Sequence, residues 1–161
     1  MVNGSLQLCR HQLQMQGVKV EAALAEELPP IKGNSNQLRQ VLLNLMLNAG
    51  QAMENSPTKQ LKVTTTAGEN GSVEIRVADS GPGIPKDVRG QLFKPFFTTK
   101  RRGQGTGLGL SVSRSIIEGH RGNIRLDSEP GKGATFVIRI PRATPSGELL
   151  LAKAGGGLTG R

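Results

Sequence analysis

The sequence has few of the residues on which several kinds of protein depend. Tryptophan and tyrosine are absent and there are four phenylalanines, so a stacking platform for single-stranded nucleic acid is not expected. A single cysteine, Cys9, excludes an intrachain disulfide framework and a cysteine metal site, and predicts a buried or bystander thiol. No apolar run approaches the roughly 20 residues of a membrane span. We expect no nucleic-acid partner and no membrane contact from this segment.

What the chain does have is length and positive charge. Its 161 residues predict one domain with a substantial core. A formal net charge of +9 predicts attraction to polyanions, whether nucleotides, nucleic acid or acidic protein faces. No secretory signal is visible, so the segment is expected in the cytosol, whether or not a full-length protein is anchored in a membrane. The first five residues, Met-Val-Asn-Gly-Ser, are typical of the start of an excised segment. We therefore expect the chain to be a fragment of a longer protein.

A carboxylate followed by two glycines marks the most informative stretch. Val73, Ile75 and Val77 alternate with polar or small residues, which predicts a half-buried strand that ends at Asp79. In 79–84, Asp-Ser-Gly-Pro-Gly-Ile, the glycines permit backbone angles that other residues resist and let a ligand approach the main chain. Asp79 can then accept a hydrogen bond from a buried amino group such as adenine N6. The alternative is a plain strand-to-loop turn.

Residues 36–54 form the strongest helical pattern, with apolar side chains at spacings of three and four. Asn44 and Asn48 interrupt it four residues apart, on one face. Asparagine is a mediocre helix former, so the pair suggests a function, such as an oxygen ligand for a magnesium ion held between protein and phosphates. The alternative is a helix that hydrogen-bonds neighbouring loops.

Two further stretches predict a lid and an anion site. Residues 93–100 hold three phenylalanines beside the basic loop 101–104, which is typical of a lid with one anchored edge; the alternative is a surface loop with an incidental core contact. Residues 105–110, Gly-Thr-Gly-Leu-Gly-Leu, then open an amphipathic helix that runs to about Gly119. A glycine-rich loop before a helix N-terminus favours anion binding. Its spacing matches neither a Rossmann fingerprint nor a P-loop.

The four stretches together resemble the catalytic ATP-binding domain of sensor histidine kinases, in the group that also contains gyrase, Hsp90 and the mismatch-repair ATPases. Residues 44–49 resemble the asparagine box, 79–83 the first glycine box, 93–97 the phenylalanine box and 105–110 the second glycine box. Residues 133–136 resemble the closing strand pair. Residues 51–53 and 98–100 resemble the branch that contains nitrogen-regulation sensors.

The resemblance implies a Bergerat-type ATP-binding fold. This is a two-layer α/β (α+β) sandwich: a mixed, mostly antiparallel sheet of about five strands, with three helices on one face. The catalytic domain would span 17–141. Residues 1–16 would be the end of a preceding helix or a linker, with Gly17 as its C-cap, and 142–161 a flexible tail.

The resemblance also assigns roles to residues, with ATP and Mg²⁺ as cofactors. Asn48 would bind Mg²⁺, Asn44 would lie by the phosphates, and Asp79 would accept from adenine N6. Asn44 and Lys100 would take part in catalysis, Lys100 by reaching the phosphates from the lid. Because Tyr and Trp are absent, packing on the base is expected to be aliphatic, with Ile84 as the candidate. The full nucleotide-binding set is Asn44, Asn48, Asp79, Gly81, Gly83, Ile84, Lys100, Gly105, Thr106, Gly107, Leu108, Gly109, Leu110 and Thr135.

Asn44 also bears on the chemistry. In hydrolytic relatives, and in those that phosphorylate serine, a glutamate general base stands there, because water and hydroxyls are poor nucleophiles without one. An imidazole already offers a free lone pair near neutral pH, so asparagine favours a histidine acceptor. His120, at a helix end, is expected to be a structural cap, and His11 lacks the acceptor's context. The acceptor is therefore expected on separate dimerisation and phosphotransfer helices, with a response regulator downstream. The alternatives are a hydrolytic ATPase or serine kinase of the same fold, and a non-catalytic interaction module.

Overall fold

A computed structural model describes residues 1–99 and 105–143. Its helices are α1 (Val2–Met15), α2 (Ser35–Ala52), α3 (Lys86–Arg89) and α4 (Gly109–Gly119), and its strands are β1 (Lys19–Leu24), β2 (Gln60–Ala67), β3 (Val73–Asp79), β4 (Asn123–Ser128) and β5 (Ala134–Ile140). A 3-10 turn over Glu69–Gly71 joins β2 to β3. Within these residues no helix is long and apolar enough to cross a membrane.

The five strands form one mixed sheet in the order β1-β2-β3-β5-β4. Strands β1 and β2 are parallel, and the other neighbours are antiparallel. In the β3–β5 ladder Asp79 is opposite Ala134, so the end of β3 meets the start of β5 at one edge of the molecule. The predicted mixed, mostly antiparallel sheet is confirmed.

Helices α1, α2 and α4 pack over one face of the sheet. Alternate strand residues point to that face, and they join the apolar stripe of α2 in a single core. Leu45 and Met46 of α2 are fully buried, so truncation of either side chain to alanine would cost about 2–5 kcal/mol. Completely buried core residues also include Leu13, Val41, Met53, Leu61, Val63 and Ile117.

Helix α1 belongs to this core. Leu6, Cys9 and Leu13 are buried, and the Cys9 thiol lies 3.7 Å from Met46 Sδ of α2. Burial raises the pKa of that thiol, as expected for an inert core cysteine. The helix ends as the glycine predicts, since Gly17 has φ +74°.

The opposite sheet face is polar and held by an ionic cluster. Glu74, which is 7% exposed, accepts a hydrogen bond of 2.8 Å from Arg76 Nε and one of 3.0 Å from Arg139 Nη2. The Arg139 hydrogen bond, with the charges of both arginines, holds the pKa of Glu74 below its usual value. Nearby, Arg142 bridges to Ile31 and Ala143 donates to Pro30. The expected tail thus starts with two anchored residues, and its remainder, 144–161, lies outside the described residues.

Candidate functional site

A cavity of about 350 Å³ opens between α2, α4 and the edge where β3 meets β5. The segments 97–99 and 105–107 complete its wall. Four of the sequence stretches, far apart in the chain, meet there. Its lining residues are Asn44, Leu47, Asn48, Ala49, Gln51, Ala52, Asp79, Gly83, Ile84, Leu92, Phe97, Thr98, Thr99, Gly105, Thr106, Gly107, Gly109, Leu110, Ala134 and Phe136.

Asp79 provides the carboxylate at one end of the cavity. Its Oδ1 accepts a hydrogen bond of 2.9 Å from the Gly81 N–H, and the Ala134 backbone also donates to this side chain. Burial outweighs these two bonds and raises the pKa of Asp79 above its usual value. Gly81 supports this carboxylate and does not itself line the cavity: a Cβ there would come within 2.8 Å of Asp79 Oδ1.

Two loops at this edge are in direct backbone contact. Gly83 has φ +73°, and a Cβ there would come within 2.1 Å of the Glu129 carbonyl oxygen. Gly131 N–H donates to the Pro82 carbonyl at 2.7 Å. Ser128 Oγ accepts from Ile84 N–H and donates to the Gly133 carbonyl. Because a side chain at Gly83 has no room, the turn 80–84 can run close against the loop 128–133 along the cavity.

The two asparagines of α2 lie at the other end of the cavity, beside α4. Asn44 Nδ2 donates to Ser113 Oγ at 3.0 Å, and Asn48 Nδ2 lies 3.4 Å from Asn44 Oδ1. Gly109 lies against Asn44, because a Cβ at Gly109 would come within 2.5 Å of Asn44 Oδ1. The predicted pairing of the asparagines on one helix face is thus present, and both line the cavity.

The glycine-rich loop leads into the first turn of α4. Gly107 has φ +68° and lies directly on the backbone of Phe96, and Leu108 N–H is 3.3 Å from Thr106 Oγ1. Helix α4 begins at Gly109 without a side-chain cap. The first N–H groups of a helix have no intrahelical acceptor, so this end, which faces the cavity, is suited to an anion.

Apolar side chains form the remaining wall, and two of them are aromatic. Ile84 lines the cavity as expected, together with Phe97 and Phe136. Phe93 packs edge-on against Phe136, with ring centroids 6.3 Å apart, and Arg114 lies over the Phe93 ring. The cavity wall thus has aromatic as well as aliphatic side chains, and aliphatic packing on the base stays a prediction.

Most predicted site residues meet in the cavity, with four exceptions, of which Gly81 is described above. Leu108 precedes the α4 N-terminus and does not line the cavity. Thr135 lies between the lining residues Ala134 and Phe136, and side chains alternate along a strand, so Thr135 faces the other side of the sheet. Lys100 lies outside the described residues, as does the basic loop 101–104 of the predicted lid.

Sequence reasoning missed several residues of the site, among them Gln51 and Phe97 in the cavity wall. Gln51 follows Asn48 by three positions, so helical spacing places it on the same face. Phe97 was noted for the lid and not for the cavity. Ser113, the partner of Asn44, carries no signal in the sequence, because it belongs to another helix.

Among the described residues, no group of three His, Cys, Asp or Glu side chains could hold a metal ion. The candidate donors are therefore amide oxygens, above all that of Asn48. Magnesium prefers oxygen ligands and is usually held by one or two protein groups together with phosphates and water. The donor set fits a magnesium ion that arrives with a nucleotide.

A family profile for histidine kinase-, DNA gyrase B-, and HSP90-like ATPases matches residues 33–144. The chain belongs to this family. It is 41% identical over 142 residues to the sensor histidine kinase ZraS of Escherichia coli, covering 88% of this chain and 29% of that protein. It is 38% identical over 135 residues to sporulation kinase A of Bacillus subtilis, covering 84% and 22%. The chain thus spans less than a third of the length of these relatives.

Solved structures agree with this assignment. Full-length ShkA in complex with AMPPNP matches with a TM-score of 0.78 and 31% identity, over 89% of this chain and 29% of that one. The nucleotide-free catalytic domain of histidine kinase ThkA matches with a TM-score of 0.75 and 33% identity, over 88% and 90%. The predicted fold and the resemblance to sensor histidine kinases are confirmed.

Proposed function

We propose that this chain is the ATP-binding catalytic domain of a two-component sensor histidine kinase, which transfers the γ-phosphoryl group of ATP to a histidine on a separate dimerisation domain. One observation carries the proposal. A single cavity has the Asp79 carboxylate at one end, and Asn44, Asn48 and the free end of α4 at the other. That arrangement suits a base at one end and phosphates at the other.

Each end of the cavity performs a separate task. The Asp79 carboxylate accepts a hydrogen bond from the adenine amino group. The base then lies beside Gly83 and the apolar side chains of Ile84 and Phe136. The loop 105–110 and the first N–H groups of α4 hold the phosphates. Asn48 supplies an oxygen to Mg²⁺, which neutralises the developing charge on the phosphates when bound. Catalysis then consists mainly of positioning and charge neutralisation.

The kind of phosphoryl acceptor can be inferred from the residues at the phosphate end of the cavity. Asp79 is the sole acidic residue among the described residues that line the cavity, and it lies at the base end. Asn44 is not a base, and its described hydrogen-bond partners are the amide of Asn48 and the hydroxyl of Ser113. A nucleophile that needs no deprotonation is therefore favoured, which supports histidine over water or serine.

The acceptor histidine is proposed to lie outside this chain, on the dimerisation helices. His120 is held on both ring nitrogens, by Asn34 N–H and by the Ile116 carbonyl. His11 is exposed on α1, among residues that do not line the cavity. A response regulator would take the phosphoryl group from the helices in turn.

Phe96 is the proposed contact for those helices. Its side chain is 75% exposed and its φ is +63°, a conformation that is strained for a bulky residue. Phe93 instead packs against Phe136, and Phe97 lines the cavity. Since Gly107 lies on the Phe96 backbone, a partner bound there would adjoin the phosphate loop, where an acceptor must arrive.

The test uses the chain with γ-labelled ATP, alone and mixed with the dimerisation helices of the full-length kinase. We expect nucleotide binding without stable label on this chain alone, and slow transfer to the helices, because separation removes an effective concentration of roughly millimolar. Acid-labile, alkali-stable label that requires His11 would contradict the assignment of the acceptor. Steady ATP turnover would favour a hydrolase, and failure to bind Mg-ATP a non-catalytic module.

The contact at Phe96 has its own control. Phe96→Ala should slow transfer to the helices roughly tenfold or more, as truncation of a central interface aromatic does, with nucleotide affinity unchanged. Leu8, which is 62% exposed on α1, provides the matched variant Leu8→Ala, for which no effect is expected. Equal effects of both variants would remove Phe96 from the interface.

A further inference from the structure

Helix α4 buries a serine hydroxyl next to the asparagine pair. Ser113 is 2% exposed and does not line the cavity. Burial of a hydroxyl is unfavourable unless it is hydrogen-bonded, and alanine is a better helix former at such a position. The bond from Asn44 Nδ2 to Ser113 Oγ, 3.0 Å long, accounts for the serine.

Asn44 connects α4 to Asn48 through the two branches of its amide. Its nitrogen donates to Ser113, and its oxygen accepts from Asn48 Nδ2 at 3.4 Å. The Ser113 hydroxyl can donate or accept, so it remains a partner for Asn44 whichever way the amide is turned. The close approach of Gly109 to Asn44 Oδ1 also confines the side chain between the two helices.

Asn44 is one of the groups that hold the Asn48 amide. An asparagine amide has one nitrogen and one oxygen on opposite branches. When the Asn48 nitrogen is turned to Asn44, the oxygen is on the branch away from Asn44. Magnesium takes oxygen ligands and not amide nitrogen, so the orientation of this amide decides whether Asn48 can be a ligand.

We propose that Ser113 is a positioning residue of the nucleotide site: through Asn44 it holds the Asn48 side chain in the place from which its amide oxygen can reach magnesium. This inference rests on the proposed function. It assigns a task to a residue that touches neither nucleotide nor metal. It also separates magnesium-dependent binding from recognition of the base, which depends on Asp79 at the far end of the cavity.

The experiment measures the affinity of the chain for a fluorescent ATP analogue, with Mg²⁺ and with a chelator. Ser113→Ala should lower the affinity in Mg²⁺ roughly three- to tenfold, the effect of one lost hydrogen bond, and leave the affinity in chelator unchanged. Ser113→Thr keeps the hydroxyl and should restore most of the loss. Ser115→Ala makes the same chemical change at an exposed position of α4 and should change neither affinity.

A second measurement tests the route through Asn44. In an Asn44→Ala background, Ser113→Ala should have no further effect on affinity in Mg²⁺, because coupled residues are not additive. Full additivity would overturn the inference.

The remaining outcomes show whether the inference about Ser113 fails alone or together with the proposed function. If the unmodified chain fails to bind the analogue in Mg²⁺, both fail together. If it binds, and Ser113→Ala weakens binding equally with and without Mg²⁺, or not at all, the role of Ser113 is structural and only this inference fails. Thermal unfolding checks the fold of each variant, and Ser113→Cys, which keeps the volume with a weak acceptor, replaces an unfolded alanine variant.

Discussion

His120 Nε2 accepts a hydrogen bond of 2.9 Å from the backbone N–H of Asn34, 86 residues earlier in the chain. The other ring nitrogen, Nδ1, lies 2.7 Å from the Ile116 carbonyl, so Nδ1 carries the proton and donates. Asn34 caps α2, with its side chain accepting from the N–H groups of Asn36 and Gln37. One neutral imidazole thus joins the end of α4 to the start of the helix that carries both asparagines.

The first prediction concerns this link. His120→Ala removes two hydrogen bonds, an exposed one to Asn34 and a partly buried one to Ile116, and should lower the free energy of unfolding by about 1–3 kcal/mol, as measured by denaturant unfolding. His11→Ala, at an exposed position of α1, should change it by less than about 0.5 kcal/mol. Equal losses of unfolding free energy in the two variants would mean that the His120 hydrogen bonds do not stabilise the fold.

The second prediction concerns Asp79. Asp79→Asn replaces a carboxylate acceptor by a mixed amide and should weaken nucleotide binding by about 1–3 kcal/mol, as measured with a fluorescent ATP analogue. Unchanged affinity would contradict the assignment of the adenine pocket.

The stability of the Asp79→Asn variant should not fall with its nucleotide affinity. Because burial raises the pKa of Asp79 above its unfolded value of 3.8, protonation favours the folded state, and that contribution is lost as the pH rises through the raised pKa. At neutral pH the ionised carboxylate is therefore unfavourable for folding. Asp79→Asn should unfold at the same or a higher temperature at neutral pH; a lower one would show that the carboxylate stabilises the fold.

The third prediction compares two glycines with positive φ. Gly83 has φ +73° and no space for a Cβ, whereas Gly131 has φ +79° and nothing within 4 Å of a Cβ. Gly131→Ala should cost about 1–2 kcal/mol of stability for the left-handed backbone alone. Gly83→Ala should cost more and also weaken nucleotide binding, since the cavity loop must move. Circular dichroism melts measure the stability, and nucleotide titrations measure the affinity. Similar melting temperatures for the two variants would contradict the close contact of Gly83 with Glu129.

The fourth prediction concerns acid. The pKa of Glu74 is lowered from 4.5, chiefly by the Arg139 hydrogen bond. Its contribution is therefore present above that value and is lost as the pH falls through the lowered folded pKa. Glu74→Gln should reduce the loss of stability on acidification from about pH 6 to pH 3, measured by urea unfolding at each pH. Glu118→Gln, in an exposed pair with Arg114, should have little effect.

Local pattern was sufficient for the elements of this fold. The apolar spacing of 36–54 predicted α2, which spans Ser35–Ala52, and alternation predicted β3, which ends at Asp79. The glycines at 81, 83, 107 and 109 marked the loops, because their backbone freedom is a local property. Asn44, Asn48 and Asp79 stood out because each is a polar residue placed against a clear local pattern.

Tertiary structure alone decided which residues face one another. The resemblance implied Thr135 beside the base; pairing of Ala134 with Asp79 places Ala134 on that face of the sheet and turns Thr135 to the other. Ser113 and His120 gained their partners from α2, across 69 and 86 residues. Such contacts depend on how helices and strands pack, and the period of a single element carries no information about the element opposite it.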